Sequence, residues 1–216
     1  MKNARLMCLS WILVVVAGVA DAAAQPSEPV GPYVVDVHGV LARFKEDSAL
    51  ADALDVTVQN LPTRGLGLSG GVHVYPIRRR RFAVGIGGEI LVARDSRTPA
   101  QEEGSTVEGP TVTTTLSAFT PQISLNFGKR EGWSYISGGI GLARLNAERD
   151  DVPFAEDASR TRAINYGGGA RWFTGPHVAF SFDFRFYTIN AQEGSGLRPP
   201  FPRSKLTVIS AGISLH

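Results

Sequence analysis

Cysteine and methionine are almost absent from this chain. One cysteine and two methionines occur among its 216 residues, and all three, Met1, Met7 and Cys8, lie at the very start. A disulfide framework is therefore excluded, and stability has to come from backbone pairing and packing. Long apolar runs are scarce as well. The one substantial run, Leu6 to Ala20, covers about 15 residues, short for a membrane helix. Nothing after it approaches the roughly 18 consecutive apolar residues that a helical span needs. A membrane protein built from the remainder has to be a closed barrel. An excess of one charge sign is missing too. There are 22 basic and 20 acidic residues. Lys2, Arg5 and Asp21 are the charges of residues 1–24, so the remainder lies one positive charge from neutral. That balance gives no electrostatic basis for binding nucleic acid.

What is present begins with a leader. Lys2 and Arg5 precede the apolar run, and Ala22 and Ala24 give a small-x-small pattern before Gln25. This predicts a cleaved secretory signal peptide over residues 1–24. Cys8 stands too early, and too close to Arg5, for a lipoprotein attachment site.

Beyond residue 32 the chain alternates. The segment "HVAFSFDFRFYTIN" places Phe180, Phe182, Phe184 and Phe186 at every second position, with Ser181, Asp183 and Arg185 between them. Successive strand residues point to opposite faces, so this is a strand signal. In a soluble sheet the aromatic face would be the core. In a membrane barrel the aromatics face lipid and the charges face the lumen. The segment alone is compatible with either.

Eight such segments can be read, at 33–43, 65–75, 81–93, 114–127, 133–145, 162–173, 177–188 and 205–215. Each is about 10–14 residues, near the length of a tilted bilayer-crossing strand and well above the usual strand of about 5–6. In most of them the polar face is small and glycine-rich, which suits the concave inside of a tight barrel. The bulky face suits its convex outside. The connections alternate between short ones, "PIRRRR", "GKREG" and "TGPH", and long ones at 44–64, 94–113, 146–161 and 189–204. Short turns at one end and long loops at the other mark bacterial outer-membrane barrels. The pairs Gly70–Gly71, Gly87–Gly88, Gly138–Gly139 and Gly167–Gly168 are read as kinks that let a small barrel curve. "GIGGE" looks superficially like a nucleotide loop, but no helix follows it, so no cofactor is expected.

An eight-stranded barrel is just wide enough for side chains to fill it, and charges inside must pair. The expected inward set is Asp36, His38, His73, Glu89, Arg171, Asp183 and Arg185. Counting residues up each strand puts Asp36, His73 and Arg171 in a lower layer and Glu89 and Arg185 in an upper one. Arg171 is expected to pair with Asp36 or Asp183, and Arg185 with Glu89 or Asp183. The expected lipid-facing set is Phe180, Phe182, Phe184 and Phe186.

At this point the chain resembles the eight-stranded outer-membrane barrels of the outer-membrane protein A and protein X type, including opacity-like adhesins. The resemblance spans nearly all of residues 33–215 and rests on the leader, the eight strands, the loop phase and the inward charges. It implies an all-β, eight-stranded antiparallel transmembrane up-and-down barrel over 33–216, preceded by the leader and a short periplasmic segment, 25–32. Such barrels usually end on an aromatic residue, whereas here Leu215 takes the outward register and His216 follows.

The function this implies is a non-enzymatic, plugged barrel of the cell outer membrane of a Gram-negative-type bacterium, structural or adhesive through its long loops. The expected partners are outer-membrane lipid, lipopolysaccharide and an extracellular ligand at the loops, with the chain monomeric. A narrow pore, a lipid A-modifying enzyme and a soluble lipocalin-like barrel are the alternatives. An enzyme of that kind needs a nucleophile and a base near the outer leaflet, and no histidine falls in a long loop beside a serine. No catalytic, metal or cofactor site is therefore expected. The third long loop holds Glu148, Asp150, Asp151, Glu156 and Asp157. Carboxylates suit hard cations, but their spacing fits no regular calcium loop, and a solvated acidic loop is expected. The fourth, with exposed Phe201, reads as a flexible loop, and Arg78 to Arg81 as a solvated turn.

Overall fold

The computed structural model describes residues 30–99, 109–129, 131–152, 158–194 and 200–216. The predicted leader, Glu156 and Asp157 lie outside them. Eight strands are present: β1 Tyr33–Arg43, β2 Arg64–Arg78, β3 Phe82–Arg97, β4 Val112–Lys129, β5 Gly132–Arg149, β6 Thr161–Phe173, β7 Val178–Ile189 and β8 Ser204–Leu215. Each pairs antiparallel with the next, and β1 pairs with β8, from Val35 opposite Leu215 to Arg43 opposite Thr207, closing a barrel. Closure removes every sheet edge.

The alternation of the sequence becomes the two faces of the wall. Leu66, Leu68, Ile86, Ile90, Phe119, Ile123, Ile136, Ile140 and Tyr166 are exposed outward, Leu66 to 70%. Phe180, Phe182, Phe184 and Phe186 lie on the same outer face, 36–52% exposed. Their neighbours Ser181, Asp183 and Arg185 are buried. A soluble barrel would reverse this arrangement.

Several elements differ from the sequence reading. β3, β4 and β5 run past the expected boundaries, pairing up to Arg97 opposite Val112 and Val112 opposite Arg149. The added turns of ladder have polar or threonine residues outward, so the apolar alternation that reveals a strand stops before the strand does. β2 continues through Pro76 to Arg78, with a register shift between Val74 and Ile77. The glycine pairs carry no register shift, and a Cβ added at Gly87, Gly139 or Gly167 would lie within 2.3 Å of a neighbouring backbone oxygen. Near the end of β4, Gly128 has φ 136°, a region closed to most side chains.

The first long connection is not a plain loop. It contains helix α1, Ser48–Ala53, and a 3-10 turn, Val58–Asn60. Asp47 caps α1, its Oδ1 accepting from the N–H groups of Ala49 and Leu50 at 3.0 and 3.2 Å. Leu50, Ala51, Leu54 and Leu61 pack on Val112 and Ala147, with Phe201 against them. Phe201 is therefore half-buried beneath a lid, not free in a flexible loop. Its backbone pairs with Gln192.

Candidate functional site in the barrel lumen

The lumen is filled in layers. At the short-turn end, Trp133, Tyr75, Val30, Val34 and Ala83 form an apolar floor with Phe173 against it. His216 turns under this floor, its ring 4.3 Å from that of Phe173, while Leu215 points outward.

The lower ionic layer centres on Asp36. Arg171 Nε donates to its Oδ1 at 3.0 Å and Nη2 to its Oδ2 at 2.6 Å. This bidentate fork is the strong geometry for a guanidinium and a carboxylate. Ser214 donates a third hydrogen bond to Asp36. His73 Nδ1 is 3.8 Å from Asp36 Oδ2, too far for a hydrogen bond. The Arg171 guanidinium also lies 4.2 Å from the centre of the Tyr135 ring, a cation–π contact.

The upper ionic layer centres on Arg185. Its Nε lies 2.7 Å from Asp183 Oδ1, close but badly angled for a hydrogen bond. Nη2 donates to Asp183 Oδ2 at 3.1 Å and Nη1 to Gln122 Oε1 at 3.0 Å. Glu89 Oε2 is 3.4 Å from Arg185 Nε, and Tyr187 donates to Glu89 Oε1 at 2.6 Å. Tyr135 joins the layers: its ring faces Arg171, and its hydroxyl donates to Asp183 at 2.5 Å. His38 stands apart, with Nε2 2.7 Å from Ser181 Oγ. All seven expected inward side chains are buried in the lumen.

The partners Tyr135, Tyr187, Gln122, Ser181 and Ser214 were not singled out from the sequence. Strand parity places each of them inward, but it does not show which strands meet across the lumen. The His38–Ser181 contact is likewise invisible in a chain where the two are 143 residues apart. Such a pair could serve nucleophilic chemistry only with access to a substrate. Here Ser181 is 0% and His38 4% exposed, and the layers above and below them are filled.

Above the ionic layers the lumen becomes apolar, with Val40, Ala42, Leu91, Leu116, Leu145, Tyr187, Leu206 and Val208 packed together. The lid sits on this layer. Between them lies a cavity of about 20 Å³, lined by Phe44, Leu50, Leu61, Leu145, Phe201 and Leu206. That is room for about one water-sized molecule. Of the acidic residues of the third long connection, Glu148 belongs to β5, Asp150 accepts the Thr111 N–H at 3.0 Å and Asp151 pairs with Arg149 at 2.6 Å. No metal-holding cluster of three or more His, Cys, Asp or Glu occurs among the described residues.

An apolar belt outside and a sealed ionic plug inside define the class as a small membrane barrel. The chain belongs to the family of outer membrane protein beta-barrel domains, whose model matches residues 11–215. Its location is accordingly the outer membrane, where barrels of this family meet lipid and lipopolysaccharide. Among solved structures it is similar to Neisserial surface protein A, with a TM-score of 0.54 at 11% identity over 86% of this chain and 97% of that one. The outer membrane protein OprG from Pseudomonas aeruginosa gives a TM-score of 0.47 at 10% identity, covering 89% of this chain and 98% of that one. At such identities the likeness is one of fold. Comparison with curated protein sequences gives no match.

Proposed function

We propose that this protein is a closed, non-enzymatic barrel of a Gram-negative-type outer membrane, with a structural or adhesive role carried by its long connections. The observation that carries this reading is the plug. Arg171–Asp36 and Arg185–Asp183–Glu89 bridge the lumen in two layers, with an apolar layer and a lid above them. A pore would need a continuous aqueous path, and an enzyme would need its buried Ser181 and His38 to be reachable. On this reading residues 1–24 direct secretion, residues 25–32 lie in the periplasm, and the lidded end faces outward as a monomeric surface for an extracellular ligand.

Planar bilayers test the plug. The refolded protein should produce no stepwise ionic current, and expressing cells should contain lipid A of unchanged acylation. Sustained current steps would replace this reading with a pore, and altered lipid A acylation with an enzyme.

A further inference from the structure

The hairpin between β2 and β3 carries four consecutive arginines, Arg78 to Arg81, all exposed. Nothing in the fold asks for them. The Arg79 N–H donates to the Phe82 carbonyl at 2.8 Å, which closes the turn around Arg80 and Arg81. Neither of those two has a positive φ, so the turn is not of a kind that demands glycine or asparagine. Most residues would fit its backbone. Among the described residues no carboxylate forms an ion pair with any of the four. Four like charges side by side repel one another, and the fold offers no compensation.

The patch widens onto the next turn. The Gly128 N–H donates to the Arg81 carbonyl at 3.0 Å. That bond ties the two turns together and sets Lys129, also exposed, beside the arginines. Against these five cations the short turns hold, among their described residues, one side-chain carboxylate, Glu131.

Where the cations stand decides what they can reach. Arg78 is opposite Ala83, and Ala83 belongs to the buried floor of the lumen. Cross-strand partners share a face, so Arg78 stands on the lumen side, at the mouth of the barrel. Arg81 precedes Ala83 by two residues and continues that face. Arg79 stands opposite Phe82, which is exposed outward. The arginines thus line a stretch of rim from its lipid side to its mouth. A patch serving only the surrounding lipid headgroups would turn outward throughout.

We propose that this rim docks a carboxylate-bearing polymer lying beneath the barrel, the peptide stems of the periplasmic cell wall. Guanidinium forks take carboxylates in bidentate fashion, as Arg171 takes Asp36 inside the barrel. A polymer with several carboxylates close together matches a cluster of five cations. Single phospholipid headgroups in the surrounding leaflet would meet only the outward ones. The proposal rests on the short turns facing the periplasm.

Co-sedimentation of the folded, detergent-solubilised full chain with purified peptidoglycan sacculi tests it. The protein should pellet with the sacculi. Binding should fade as salt rises from about 0.01 to about 1 M, over which the Debye length falls from about 30 to about 3 Å. Arg78→Gln, Arg79→Gln, Arg80→Gln and Arg81→Gln together should weaken binding about tenfold, and the four corresponding changes to lysine should weaken it less. Both variants should keep the heat-dependent gel shift of a folded barrel. Sacculi with amidated carboxyl groups should hold the parent protein weakly, a result that needs no variant. Soluble polyglutamate should displace the protein, and phosphatidylglycerol micelles at equal charge should not. Failure of the parent protein to pellet, equal binding to amidated sacculi, undiminished binding of the glutamine variant, or equal displacement by phosphatidylglycerol overturns the proposal. Thiol labelling of Gly175→Cys separates the two claims. If that site is spared on intact cells and the protein does not pellet, the docking site alone falls; if it labels on intact cells, the orientation falls and the docking site with it.

Discussion

Glu89 lies between Gly87 and Leu91 on the inward face of β3, so no neighbour along its own strand can meet its charge. Tyr187 and Arg185 do so from β7, across the barrel. Removing one member of a buried ionic set leaves the others unpaired, at a cost of about 3–5 kcal/mol. Glu89→Ala should therefore unfold in less denaturant than Glu89→Gln, which keeps an acceptor for the Tyr187 hydroxyl. An exposed change such as Glu46→Ala should stay within about 0.5 kcal/mol of the parent protein. Equal midpoints for Glu89→Ala and Glu46→Ala would mean that the lumen is wet enough to solvate Arg185 and Tyr187. Space is as constrained as charge. A Cβ at Gly169 would lie 2.7 Å from the Tyr135 hydroxyl oxygen, the group that holds Asp183. The inward glycines are thus the counterpart of the large inward side chains. Strand parity showed which residues turn inward, because the period of two is strict. It could not show that Tyr135 bridges the ionic layers, because pairing across a lumen depends on barrel shear, which leaves no mark in local sequence.

At the scale of the element, the strands reverse their polarity toward the lidded end. On β1 the outward residues pass from Val37 and Leu41 to Arg43, while the inward ones pass from Asp36 and His38 to Val40 and Ala42. Lower down the wall is apolar outside and polar inside; near the lid it resembles a soluble barrel. That reversal hides the upper ends of β3, β4 and β5 in the sequence, because the apolar alternation outside ends before the strands do. It also explains the lid, since an apolar upper lumen has to be covered. Arg149, at the end of β5, fastens that cover. Its Nη1 donates to the carbonyl oxygens of Leu54 and Asp55 at 2.9 and 3.2 Å, while Nε and Nη2 donate to Asp151 at 2.9 and 2.6 Å. The Arg149 hydrogen bonds hold the Asp151 carboxyl below its ordinary range. A carboxyl lowered in the folded state supports that state above its unfolded pKa, about 3.9, and the support is lost as the pH falls through the lower folded value. Asp151 is exposed, so the effect is local to the lid. Hydrogen exchange at Leu50 to Leu54 should rise relative to the strands as the pH is lowered from about 5 to below about 3, after correction for intrinsic rates. Arg149→Ala should show the raised exchange already at pH 5. Equal protection in the variant and the parent protein at pH 5 would mean that apolar packing alone holds the lid.

At the scale of the whole molecule, the topology was the most legible property, because two independent patterns agree on it. Alternation counts the strands, and the long-short phase of the connections assigns each one to an end. In the structure the connections at 44–63, 98–111, 150–160 and 190–203 join strands at one end, while 79–81, 130–131 and 174–177 join them at the other. The chain enters and leaves at the short-turn end, where the His216 N–H donates to the His177 carbonyl at 3.1 Å. What neither pattern supplies is the direction of the barrel in the membrane. Charge does not decide it, since both ends carry exposed cations: Arg78 to Arg81 on one short turn, and Arg43, Arg64 and Arg94 near the lid. Insertion does not decide it either, since a chain delivered from inside the cell has to carry across the bilayer whichever connections end up outside. The loop lengths do: longer extracellular loops and short periplasmic turns are the rule for such barrels. Single cysteines at Ser159, Gly194 and Gly175 make the test clean, because the native Cys8 belongs to the predicted leader. A membrane-impermeant maleimide on intact cells should label Ser159→Cys and Gly194→Cys and spare Gly175→Cys, which should react once the outer membrane is permeabilised. Labelling of Gly175→Cys alone on intact cells would invert the barrel and expose the basic turn, rather than the lid, to the outside.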